Sequence, residues 1–70
     1  MKSPRLYYFF CESKRTHDKA KALTVLRRTT KGGKMQRIGW EVYFYATREE
    51  LSKIKVQLLN CKYELYRIRG

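Results

Sequence analysis

Seventy residues carry 17 Lys and Arg against 6 Asp and Glu, a formal net charge of +11 with a pI of about 10.1, while 43% of positions are hydrophobic and 14% aromatic. A chain of this length makes one domain over residues 1–70 with a small core, too small for a deep enclosed active site, and its three Phe, six Tyr and one Trp supply apolar area that a disordered basic tail lacks. The charge attracts polyanions, so nucleic acid is the first partner class implied, an acidic protein surface the second and an anionic membrane surface the third.

The first predicted element covers 5–12. Its residues Leu6-Tyr7-Tyr8-Phe9-Phe10 are apolar and aromatic, and Pro4 biases Ser3 toward extended backbone, so a strand is expected. The apolar run Leu6 to Cys11 is far shorter than the ~18 residues of a membrane span and shorter than a secretory hydrophobic segment. The expectation is a chain that begins near Met1, stays in the cytoplasm and keeps Cys11 and Cys61 as reduced thiols.

Residues 17–30 mix β-favouring Thr24, Val25, Thr29 and Thr30 with helix-favouring Ala20, Lys21, Ala22 and Leu23. Periodicity decides for a helix: at 100° per residue Ala22, Leu23, Val25, Leu26 and Thr29 share an arc of about 160°, and Lys21, Thr24, Arg27, Arg28 and Lys31 fill the opposite arc. As a strand, the same residues mix Arg27 with Leu23 and Val25. Gly32-Gly33 then offers the left-handed position that ends helices.

Residues 36–46 alternate: Ile38, Trp40, Val42, Phe44 and Ala46 point one way, and Arg37, Gly39, Glu41, Tyr43 and Tyr45 the other. This predicts a second strand, with Gly39 marking a bulge or a close backbone approach. Thr47-Arg48-Glu49-Glu50 reads as a capping box opening a helix over 48–60. That helix should bury Leu51, Ile54, Leu58 and either Val56 or Leu59, with Asn60 as its C-terminal cap. Residues 62–69 return as a third strand, whose cations suit a sheet edge.

The predicted fold is therefore a small α+β domain of order β-α-β-α-β, a three-stranded sheet with both helices packed on one face. With the first and last strands parallel, Cys11 and Cys61 fall at opposite ends of the sheet, beyond the ~7 Å Cα limit for a disulfide.

The charge is local. Residues 14–37 hold nine cations (Lys14, Arg15, Lys19, Lys21, Arg27, Arg28, Lys31, Lys34 and Arg37) against Asp18 alone, a net of +8. Such an excess goes beyond what solubility asks of a small domain and points to phosphate contacts from Lys14, Arg15, Lys21, Arg27, Arg28, Lys31, Lys34 and Arg37. A sheet covered on one side should bury Ile38, Trp40, Val42 and Phe44 under the helices and leave Tyr43 and Tyr45 outside, joined by either Tyr7 and Phe9 or Tyr8 and Phe10. Outward aromatics flanked by cations stack unpaired bases, although they also suit a plain protein interface. Lys31-Gly32-Gly33-Lys34 could form a phosphate-holding nest or simply a helix stop.

Gly39-Trp40-Glu41-Val42-Tyr43-Phe44-Tyr45 resembles the aromatic central-strand signature of RNA-recognition-motif domains, and Leu6-Tyr7-Tyr8-Phe9-Phe10 is similar to their first-strand motif. The chain departs from that pattern in having Glu41 where the signature has a small residue, in a shifted aromatic spacing, and in a predicted order one strand short of β-α-β-β-α-β. The similarity is confined to those two segments and assigns no family.

His17, Cys11 and Cys61 lack the paired spacing of a zinc site or a catalytic cysteine, and no nucleotide cofactor is implied. The expected function is non-enzymatic binding of single-stranded RNA or DNA, or of a nucleic-acid backbone, through the basic helix and the aromatic sheet face. A basic helix of this kind also suits a duplex major groove. The rival is a small adaptor or inhibitor that docks on an acidic surface of a larger complex and adds a strand through 62–69.

Overall fold

The computed structural model describes residues 3–30 and 34–69. Six elements follow in order: β1 (Arg5–Cys11), α1 (Thr16–Thr29), β2 (Met35–Ile38), β3 (Glu41–Ala46), α2 (Arg48–Gln57) and β4 (Tyr63–Arg67). The fold is α+β with two helices, but the sheet has four strands in the order β2-β3-β1-β4, every neighbouring pair antiparallel. The expected three-stranded β-α-β-α-β order is thereby corrected to β-α-β-β-α-β, the split β-α-β arrangement. The strand that the sequence reading lacked relative to RNA-recognition-motif domains is present.

One turn makes the difference. The predicted strand 36–46 is a hairpin, with Ile38 paired to Glu41 across Gly39 and Trp40. Gly39 has φ 61°, the left-handed value that primed two-residue hairpin loops give to glycine. Two residues spent in the loop place Ile38 opposite Glu41, so Ile38 shares a face with Glu41 and Tyr43 instead of Val42 and Phe44. It is 69% exposed rather than buried as expected. Trp40, also expected under the helices, is half-buried at the turn.

The hairpin also reverses the chain once more than two helical crossovers would. β4 therefore runs antiparallel to β1, with Cys11 opposite Tyr63 and Tyr7 opposite Arg67. The expected separation of the cysteines is overturned: their sulfurs lie 3.3 Å apart. β4 occupies a sheet edge, as its cations suggested, and β2 occupies the other.

Both helices cover one face of the sheet. Phe9, Cys11, Val42, Phe44 and Ala46 of β1 and β3 meet Ala22, Leu23 and Leu26 of α1 and Ile54 and Leu58 at the C-terminal half of α2. α1 follows the predicted wheel, with Ala22, Leu23 and Leu26 buried and Lys21, Thr24, Arg27 and Arg28 exposed. At its start the Ser13 hydroxyl donates to Asp18 at 3.0 Å and accepts from the Arg15 N–H at 3.2 Å. At its end the Thr30 N–H and hydroxyl both donate to the Leu26 carbonyl, at 3.0 and 2.8 Å. The glycines expected to stop this helix lie outside the described residues.

α2 opens on the predicted capping box: Thr47 Oγ1 accepts from the Glu50 N–H at 3.2 Å, and the Glu50 carboxylate accepts from the Thr47 N–H at 2.8 Å. It ends at Gln57 with Leu58 as the cap, ahead of the expected Asn60. Ile54 and Leu58 are buried, whereas Val56 and Leu59 are 66% and 79% exposed. The wheel explains Val56, which lies about 200° from Ile54. Leu59 falls in the turn after the helix. Among the described residues no helix is long and apolar enough to cross a membrane.

Candidate nucleic-acid interface

The helix layer carries the cations. Lys21, Arg27 and Arg28 stand exposed on α1, along about 10 Å of that 14-residue helix. Lys14 and Arg15 are exposed just before its first turn, Arg15 in the N-cap position. Neutral donors hold three of the acids: Asp18 accepts from Ser13, Glu50 from the Thr47 N–H and Glu41 from the Tyr8 hydroxyl. The first two sit in the helix layer, Asp18 in the first turn of α1 and Glu50 in the capping box of α2.

The uncovered face of the sheet is built in three rows, set by strand register. One row runs Ile38, Glu41, Phe10 and Glu64 across β2, β3, β1 and β4; the next runs Gln36, Tyr43, Tyr8 and Tyr66. The third has Tyr45 beside Leu6, with the Ile68 N–H donating to the Leu6 carbonyl at 2.9 Å. Of the two pairs open in the sequence, Tyr8 and Phe10 are the ones that join Tyr43 and Tyr45. Both parities of β1 are aromatic, so the choice depended on which set met the core.

Within the middle row the Tyr8 ring stacks on Tyr66 at 4.9 Å and meets Tyr43 edge-on at 5.4 Å. The Tyr8 hydroxyl donates to Glu41 Oε2 at 2.7 Å. That bond to a carboxylate, followed by burial, raises the phenol well above the ordinary tyrosine range. Tyr8 is thus a structural ring, and Tyr45 and Tyr66, 46% and 53% exposed, are the ones that face outward most. Tyr66 was not singled out from sequence, although alternation along 62–69 sets it beside Glu64 and Ile68.

Lys34, Gln36, Leu6, Tyr43 and Tyr45 enclose a shallow concavity of about 230 Å³. Three predicted residues, Lys34, Tyr43 and Tyr45, therefore meet on the open face. Lys21, Arg27 and Arg28 lie in the opposite layer, so the predicted helix and sheet contacts do not form one surface. Arg37 takes a third place: it pairs with Val42 in the register, donates from Nε to the Gly39 carbonyl at 2.7 Å and sets its guanidinium 4.4 Å from the Trp40 ring centre. Lys19 approaches the same ring at 5.5 Å. Arg37 braces the hairpin turn by hydrogen bonding and cation–π attraction. Lys31 and the proposed Lys31–Lys34 nest fall on or across residues outside the description.

The described residues contain no group of three or more His, Cys, Asp and Glu side chains able to hold a metal ion. No protein-family model matches the chain, and no curated protein or solved structure is significantly similar to it.

Proposed function

We propose that this protein is a non-enzymatic nucleic-acid-binding module that grips the phosphate backbone with the exposed side of α1. The observation that carries the reading is the exposure of Lys21, Arg27 and Arg28 on α1, with Lys14 and Arg15 exposed just before it, in a stretch from Lys14 to Thr29 whose one acid is Asp18. Phosphate contacts of this kind position a protein on a strand without reading its sequence. The open face is a weaker phosphate surface, because Glu41 and Glu64 stand in one of its rows. Its concavity of Lys34, Tyr43 and Tyr45 lies in the layer opposite α1 and takes no part in the grip.

A salt titration of oligonucleotide binding tests the reading. Five cations neutralising one phosphate each give a log–log slope of about −3.5 to −4.5, and Arg27→Glu with Arg28→Glu should abolish binding while leaving the helical spectrum unchanged. Absence of binding to RNA and DNA at low salt sinks the reading, as does a charge-reversed variant that binds like the parent. Competition between single- and double-stranded oligonucleotides assigns the target class.

The second reading, an adaptor for a larger protein complex, is favoured by the open face itself, where Ile38 on the edge strand β2, Tyr45 on β3 and Tyr66 on the other edge strand, β4, are exposed. The material that co-purifies before any high-salt wash separates the two: nucleic acid for the first, a stoichiometric protein for the second.

A further inference from the structure

We propose that Cys11 and Cys61 form a dithiol that small-molecule disulfides of the glutathione type oxidise to an intramolecular disulfide, with Cys61 as the entry thiol. Cys11 ends β1 and is 2% exposed, whereas Cys61 is half-buried at the turn that leads into β4. Their sulfurs stand 3.3 Å apart although 50 positions separate them in the chain. The backbone around them is fixed by the antiparallel pairing of Cys11 with Tyr63, by Glu12 N–H to Lys62 carbonyl at 2.9 Å, and by Cys61 N–H to Leu58 carbonyl at 3.1 Å. Closure from 3.3 Å to the ~2.05 Å of a disulfide brings the sulfurs about 1.3 Å closer.

Access is one-sided. Cys61 lines a cavity of about 410 Å³ between the two helices and the end of β1, whose rim carries the Lys21 and Lys62 amines as well as the Glu12 and Asp18 carboxylates. Cys11 is not among the residues lining that cavity. Two amines and two carboxylates offset one another around the cavity, so access to Cys61 rests on the opening itself and not on charge attraction.

The reaction runs in two exchanges. The Cys61 thiolate attacks one sulfur of the glutathione disulfide, forming a mixed disulfide and releasing one glutathione thiolate. The Cys11 thiolate then attacks Cys61 Sγ and releases the second. The two protons leave the cysteine thiols and end on the two glutathiones, so the protein loses two electrons and the small disulfide gains them. The product ties the start of the edge strand β4 to the end of β1.

The test oxidises the reduced, folded full chain with glutathione disulfide, traps remaining thiols with acid and a maleimide, and reads intact mass. The expected product is a monomer lighter by two hydrogens, with no maleimide and no bound glutathione, and a Tm higher by ~10 °C or more. Cys11→Ala should accumulate a glutathione adduct at Cys61, and Cys61→Ser should take up none. The disulfide should also survive a reduced-to-oxidised glutathione ratio at least tenfold higher than the one that reduces the urea-unfolded chain. A stable glutathione adduct on the parent protein overturns the proposal, as does a disulfide-linked dimer. So does a folded chain that stays reduced where the unfolded chain oxidises, and this last comparison needs no variant to fold.

Discussion

Gly39 holds φ 61° with nothing within 4 Å of where a Cβ would stand, so alanine there meets no clash and costs backbone strain alone. Left-handed backbone at a residue with a Cβ costs about 1–2 kcal/mol, and Gly39→Ala should lower the unfolding free energy by that amount in a urea titration, with Asn tolerated better. An unchanged midpoint for Gly39→Ala would mean that the hairpin adopts another turn. Cys61 offers a pH test. Burial, then its contact with Cys11, pushes the thiol up to about 11. The groups facing it include Cys11 on β1, Asp18 on α1, and Glu12, Lys21 and Lys62 around the cavity. Since the thiolate is the reactive form, alkylation of Cys61 in the folded chain should climb about tenfold per pH unit from neutrality and level off only near 11. In the unfolded chain the plateau should come about two units earlier. The same sign governs stability: the preference of the fold for a neutral thiol is complete below the unfolded value and is lost as pH rises toward the folded one.

At the scale of elements, the helices were legible and the hairpin was not. α1 separates Leu23 and Leu26 from Arg27 and Arg28 at only one period, and α2 announces its start in Thr47 and Glu50. Thr47→Ala removes the hydroxyl that accepts from the Glu50 N–H and should cost about 1 kcal/mol, read as a lower thermal midpoint with the helical spectrum intact. No change in midpoint would show that water replaces the cap. The stretch 36–46 misled because apolar residues stand at every second position straight through Gly39 and Trp40. A two-residue loop keeps that alternation on paper while exchanging the faces of β2, so Ile38 leaves the core and Arg37 joins the side of Val42. Periodicity reports which residues share a face only while the chain runs straight.

For the whole molecule, the decisive feature is that the cations of α1 and the tyrosines of the open sheet lie in different layers. If the backbone grip is on α1, Arg27→Glu with Arg28→Glu removes oligonucleotide binding, whereas Tyr45→Ala changes the dissociation constant less than about threefold. Widely separated sites act additively, so Tyr45→Ala should have the same small effect in a milder Arg28→Ala background. A loss on Tyr45→Ala equal to that on charge reversal would instead put the strand on the sheet. Reversing two charges in a chain of net +11 relieves self-repulsion but sets two glutamates in the last turn of α1, where the helix dipole disfavours them, so the two effects offset and the Tm should shift by only a few degrees while binding is lost.

The amino-acid sequence by itself determined the α+β class, the positions of both helices, the capping box and the concentration of charge between Lys14 and Arg37. These are local properties, written in spacing and residue type within a few turns of chain. Only the tertiary structure decided the fourth strand, the direction of β4, the choice of Tyr8 and Phe10 for the open face, and the meeting of Cys11 with Cys61. The choice of face depends on which parity of β1 meets the helices, and the others on how many times the chain reverses before it returns to β1, a count that one two-residue turn at Gly39 and Trp40 changes without disturbing the local pattern on either side.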